Sequence, residues 1–122
     1  MGANPLAVVL SDLIRVPGIS GAYLVSSEGF VVEKASAGGQ NIDDDALAAM
    51  VVAVFGSTTQ LGETLQVGRP EITTVEFPGH YILLYSLRGD HLLVVLADRS
   101  KAVLGRVRFE VKRQAQRLSG ML

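Results

Sequence analysis

The chain has 122 residues, is 48% hydrophobic and carries a formal net charge of −1. That suits one folded domain spanning residues 1–122 and excludes a disordered chain or a protein built for wholesale neutralisation of nucleic acid. With no cysteine there are no disulfides, thiolate metal sites or cysteine nucleophiles, a composition compatible with a reducing cytoplasm.

The N-terminus, MGANPLAVVLSDLIR, lacks the basic region of a signal peptide and is interrupted early by Asp12. Asn4-Pro5 reads as an N-cap and first-turn pair. Leu6, Val9, Leu10, Leu13 and Ile14 then form one apolar stripe, and Pro17-Gly18 ends this first helix. Residues 19 to 36 read as two strands joined by a tight turn at Ser26-Ser27-Glu28-Gly29, and Gly38-Gly39 breaks the second.

Asp43 is the expected N-cap of a second helix running to about Leu65, with Ile42 and Leu47 placed as a hydrophobic staple. Asp44 and Asp45 fall in its first turn, where carboxylates favour the positive end of the helix dipole. Residues 46 to 55 form the longest uninterrupted apolar run, ten residues, about half of a bilayer span. Three strands follow, over 69 to 77, 80 to 87 and 91 to 97, with turns at Pro78-Gly79 and Arg88-Gly89-Asp90. The last two are apolar almost throughout and belong in the middle of a sheet, whereas Pro70, Thr73, Thr74 and Glu76 mark the first as an edge. A last helix is expected from Ser100, its N-cap, to Leu118, with Leu104, Val107, Val111, Ala115 and Leu118 as its stripe. The order αββαβββα implies an α+β sandwich: a five-stranded antiparallel sheet with helices on both faces.

Little here points to catalysis. Adjacent helical carboxylates diverge by about 100°, so Asp43, Asp44 and Asp45 read as capping and not as a metal site. His80 and His91 open strands without a partner at ligand spacing. No Gly-x-Ser-x-Gly elbow, P-loop or GxGxxG occurs, and Arg88-Gly89-Asp90 reads as a turn. No cofactor and no enzymatic activity are expected.

Two features do point to partners. Lys101, Arg106, Arg108, Lys112, Arg113 and Arg117 fall on the last helix with Glu110 as the only acid among them. A solvated helix face accounts for this, and an anionic membrane or acidic protein patch is the functional alternative. The second helix carries no charge between Asp45 and Glu63. Leu47, Val51, Val54, Leu61 and Leu65 lie within about 80° on its circumference and are expected to face the sheet. Val52 and Phe55, with Ala48 and Thr59, form a second strip about 100° away. Ala49, Ala53, Gly56 and Ser57 make a third, small-residue side. Leaving Val52 and Phe55 in water would forfeit about 1.5–3 kcal/mol each, so a subunit interface is expected there.

The chain resembles the Roadblock/dynein light chain family over nearly its whole length. The likeness rests on "VPGISGAYLVSSEGFVV", "DDDALAAMVVAVF", "VEFPGHYILLYSL", "HLLVVLAD" and "AVLGRVRFEV". It implies the profilin-like αββαβββα sandwich and a homodimer in which the third strands pair edge to edge into one ten-stranded sheet. Carried over, Ile72, Thr73, Thr74 and Val75 would be the pairing edge, and Val52, Phe55 and Thr59 the helix contact. It further implies a non-catalytic adaptor that binds a small Ras-like GTPase and modulates or scaffolds it. Ala49, Ala53, Gly56 and Ser57 would form the GTPase-facing platform. Two alternatives stay open: a scaffold docking to an anionic membrane or acidic protein through Arg106, Arg113 and Arg117, and a small-molecule sensor.

Overall fold

The computed structural model describes residues 4–38 and 41–122. The first helix, α1 (Pro5–Leu13), starts as expected: the Asn4 side chain accepts a hydrogen bond from the Leu6 N–H at 3.0 Å. Strands β1 (Ile19–Val25) and β2 (Val31–Ser36) form a hairpin. Its turn is closed by Ser26 N–H on the Phe30 carbonyl at 2.8 Å, and Gly29 takes the φ of +90° that this turn needs. Of the expected Gly38-Gly39 break, Gly39 lies outside the described residues.

Helix α2 (Asp44–Leu65) is capped by Asp43, whose carboxylate accepts from the Ala46 N–H at 3.1 Å. Asp44 also receives a 2.7 Å hydrogen bond from Lys34 on β2, so Asp43 is spent on capping and Asp44 on tying helix to sheet. By length and composition alone this helix could cross a membrane; here one side of it packs on the sheet.

Strands β3 (Ile72–Glu76), β4 (His80–Ser86) and β5 (Leu92–Asp98) form the meander, and the Arg88–Asp90 turn is one turn of 3₁₀ helix. All pairings are antiparallel, in the order β2-β1-β5-β4-β3. The apolar β5 takes the centre and β3 an edge, as their compositions require.

The last helix, α3 (Leu104–Met121), starts later than the sequence suggested, with Val103 at the N-cap position. Ser100 is not its cap. Its N–H and hydroxyl both bind the Asp98 carboxylate, at 2.9 and 2.7 Å, which makes a turn of the segment after β5. Those two bonds hold the Asp98 carboxyl below the usual carboxylate range.

Side chains alternate across the central strands. Leu93, Val95 and Ala97 of β5 join the larger core beneath α1 and α3, while Leu92 and Val94 join a smaller one beneath α2. The sheet is therefore covered on both faces, and unequally.

Candidate interaction surface on the second helix and the third strand

What α2 turns toward the sheet is mostly small. Ala48, Val51 and Gly62 are its buried residues, and Val52, Phe55 and Leu47 pack against the lesser core from either side. Gly62 comes so close to the Gly68 carbonyl that a Cβ there would collide with it. The chain after the helix can turn back over Gly62 because Gln66 adopts the left-handed conformation at the helix end.

This orientation corrects the sequence reading. Of the stripe expected to face the sheet, Leu47 and Val51 do so, but Val54, Leu61 and Leu65 are exposed. The strip assigned to a twin subunit, Val52 and Phe55 with Ala48 and Thr59, instead lies on the sheet side. Val52, Phe55 and Thr59 line a cavity of about 280 Å³ beside the Arg69–Asp90 ion pair, and the buried Thr59 hydroxyl has no hydrogen-bond partner. Arg69 also sits over the Phe55 ring, 5.7 Å from its centroid.

The outward side of α2 is consequently an apolar stripe. Met50 is 61% exposed, Leu61 56% and Leu65 60%, with Val54 at their centre and Val67 just beyond the helix. Covering the exposed part of each such side chain would contribute about 1–2 kcal/mol. A groove of about 400 Å³, lined by Thr58, Leu61, Leu65, Thr73 and others, runs from this stripe to β3.

Strand β3 borders that groove with an open edge. Glu71 accepts from the Ser86 N–H and Phe77 donates to the His80 carbonyl, so the odd-numbered residues between them face β4. Ile72, Thr74 and Glu76 therefore aim their backbone N–H and C=O groups at the unpaired side. Ile72, Thr73, Thr74 and Val75 are all half-buried and lie together on this edge.

The chain is thus an αββαβββα sandwich with an open edge strand beside an exposed apolar helix face. A family model described as the Roadblock/LC7 domain matches residues 6–97. The chain belongs to the Roadblock/LC7 family. Gliding protein MglB from Thermus thermophilus is 26% identical with a TM-score of 0.87, over 98% of this chain and 91% of that one. A structure of MglB in a tetrameric arrangement is 25% identical with a TM-score of 0.88, covering 98% and 90% of the two chains. Myxococcus xanthus MglB is alike in fold, at 20% identity and a TM-score of 0.89 over 99% and 97%. No curated protein matches.

The remaining surfaces of this Roadblock/LC7 chain are readily placed. Ala49, Ala53, Gly56 and Ser57 are all exposed, on the flank of α2 that borders the apolar stripe. The basic residues singled out on the last helix separate into two kinds. Arg113 binds Glu110 at 2.7 Å, and Arg117 binds both Asp12 of α1 and the buried Gln114. Lys112 holds Glu71 at 3.0 Å, which raises the lysine's pKa; burial, then the Glu71 charge, raises that of Tyr85 beside them. Arg106 has no such partner among the described residues. What the sequence analysis missed is Phe109, 65% exposed in their midst; its position opposite the buried stripe was the available signal.

Among the described residues no group of three His, Cys, Asp or Glu side chains is placed to hold a metal ion. His80 is exposed at the start of β4, and His91 precedes β5 with its Nδ1 against the Arg88 carbonyl at 3.2 Å.

Proposed function

We propose that this protein is a homodimeric, non-catalytic adaptor of the cytoplasm that binds a small Ras-like GTPase and modulates or scaffolds it. The observation that carries the dimer is the apolar stripe of α2 lying beside the open β3 edge. The two need the same remedy: a second copy supplies a strand for Ile72, Thr74 and Glu76 and a second stripe for Met50, Val54, Leu61 and Leu65. In this reading those four residues take the place of Val52, Phe55 and Thr59 as the helix contact. A closed two-fold contact suits the surface because the same patch serves both sides.

The GTPase is assigned to the small-residue flank. Ala49, Ala53, Gly56 and Ser57 let a second backbone approach closely; Ala49, Ala53 and Gly56 lie clear of the stripe that the dimer covers, with Ser57 at its margin. Support for the partner class comes from the family, not from a motif. The test is a pull-down from native extract with the chain loaded beside GDP and beside a GTP analogue. An Ala53→Arg variant is expected to lose the GTPase while keeping its dimer by light scattering. A wild-type chain that is monomeric at micromolar concentration would end the dimer reading, and capture of no GTPase with either nucleotide would end the other.

A further inference from the structure

Helix α3 buries Val107, Val111, Ala115 and Leu118 against the sheet. Phe109 lies about 200° around the helix from both Val107 and Val111 and so projects away from the protein, with 65% of its surface exposed. On the helix circumference Arg106 and Arg113 flank it on one side and Arg108 and Lys112 on the other. Lys112 and Arg113 are answered by Glu71 and Glu110. Arg106 and Arg108 make no ion pair or side-chain hydrogen bond among the described residues. The opposite face of the sheet carries α2, whose start holds Asp43, Asp44 and Asp45. A chain of net charge −1 is thus electrically lopsided, with its cations gathered on the α3 side.

We propose that the outward face of α3 docks on an anionic lipid surface, with Phe109 entering the headgroup boundary and Arg106 and Arg108 meeting lipid phosphates. Each cation near an anionic lipid surface contributes about 1 kcal/mol, or about 5-fold in binding, and the exposed Phe109 ring among them adds apolar area to bury at the headgroup boundary. A groove of about 370 Å³ beside Phe109 is walled by Glu71 as well as by Arg108 and Lys112; that carboxylate repels an acidic peptide lying in it, whereas a lipid surface meets Phe109, Arg106 and Arg108 without entering it. The dimer proposed above adds a second reason for a planar partner. Pairing β3 edges about an axis normal to the sheet leaves both α3 helices on the same side, so a plane engages two such faces at once. The paired α2 helices and their flanks then face away from the membrane.

The chain has no tryptophan, so Phe109→Trp supplies a single fluorescent reporter. Its emission is expected to shift to shorter wavelength with phosphatidylcholine vesicles containing phosphatidylglycerol, and not with phosphatidylcholine alone. In co-sedimentation the wild type should bind the anionic vesicles in a salt-sensitive way. Arg106→Ala and Arg108→Ala should each weaken binding about 5-fold, and Phe109→Ala about 10-fold, with melting temperatures unchanged. Light scattering on the same samples separates loss of the dimer from loss of the lipid contact. An absent emission shift, vesicle binding indifferent to all three substitutions, or equal binding to soluble polyglutamate with none to vesicles would each overturn the proposal.

Discussion

Gly56 and Gly62 lie on the same helix and have opposite reasons to be glycine. A Cβ at Gly56 meets open space, whereas one at Gly62 meets the Gly68 carbonyl. Gly56→Ala should therefore raise stability by up to about 1 kcal/mol through helix propensity. Gly62→Ala should lower it by about 1–3 kcal/mol through overpacking, and chemical denaturation of the two variants decides both. Asp98 and Ser100 make a second residue-scale case. The carboxyl is held below its ordinary range by the Ser100 hydroxyl and N–H. A depressed folded-state pKa stabilises above the unfolded value of about 3.9 and ceases to do so as pH falls through the folded value. Ser100→Ala should raise the Asp98 pKa, seen by carbon-detected titration of its carboxyl. Its destabilising effect should be present at neutral pH and shrink below about pH 4. The serine itself was visible in the sequence, but as the cap of a helix that starts four residues later; Asp98, which engages it, was not connected with it.

At the scale of elements, β3 and α2 make the clearest contrast. The strand was legible as an edge because proline, threonine and glutamate sit poorly in a sheet centre. Its alternation also gives a test. Thr74 directs its N–H outward, so Thr74→Pro should leave the β3–β4 ladder intact and abolish self-association, read by light scattering. Thr73 directs its N–H to β4, and Thr73→Pro should instead destabilise the fold itself, read by thermal melting. The extent of α2 was equally legible from Asp43 to Leu65, yet its rotation was not. Bulk was expected to seek the sheet, but the small residues Ala48 and Gly62 let the helix settle close and leave Leu61 and Leu65 outside. A hydrophobic pattern records that two sides of a helix are apolar and not which of them has the nearer partner.

For the whole molecule, the thicker core under α1 and α3 stands against the thinner one under α2, and it is the thin side that ends in exposed leucine and methionine. If a second copy covers that side, folding and association are linked, and the melting temperature should rise with protein concentration. Thr74→Pro should remove that dependence, and scanning calorimetry over a range of concentrations measures it. By itself the sequence determined the element order, the caps at Asn4 and Asp43, the edge character of β3, the central place of β5 and the basic composition of the last helix. These follow from local chemistry: side-chain size, backbone freedom and the spacing of apolar residues along one element. Only the tertiary structure decided which side of α2 is free and which arginines of α3 are already spent. Each of these depends on residues distant in sequence: Gly68 against Gly62, Asp12 against Arg117, Glu71 against Lys112.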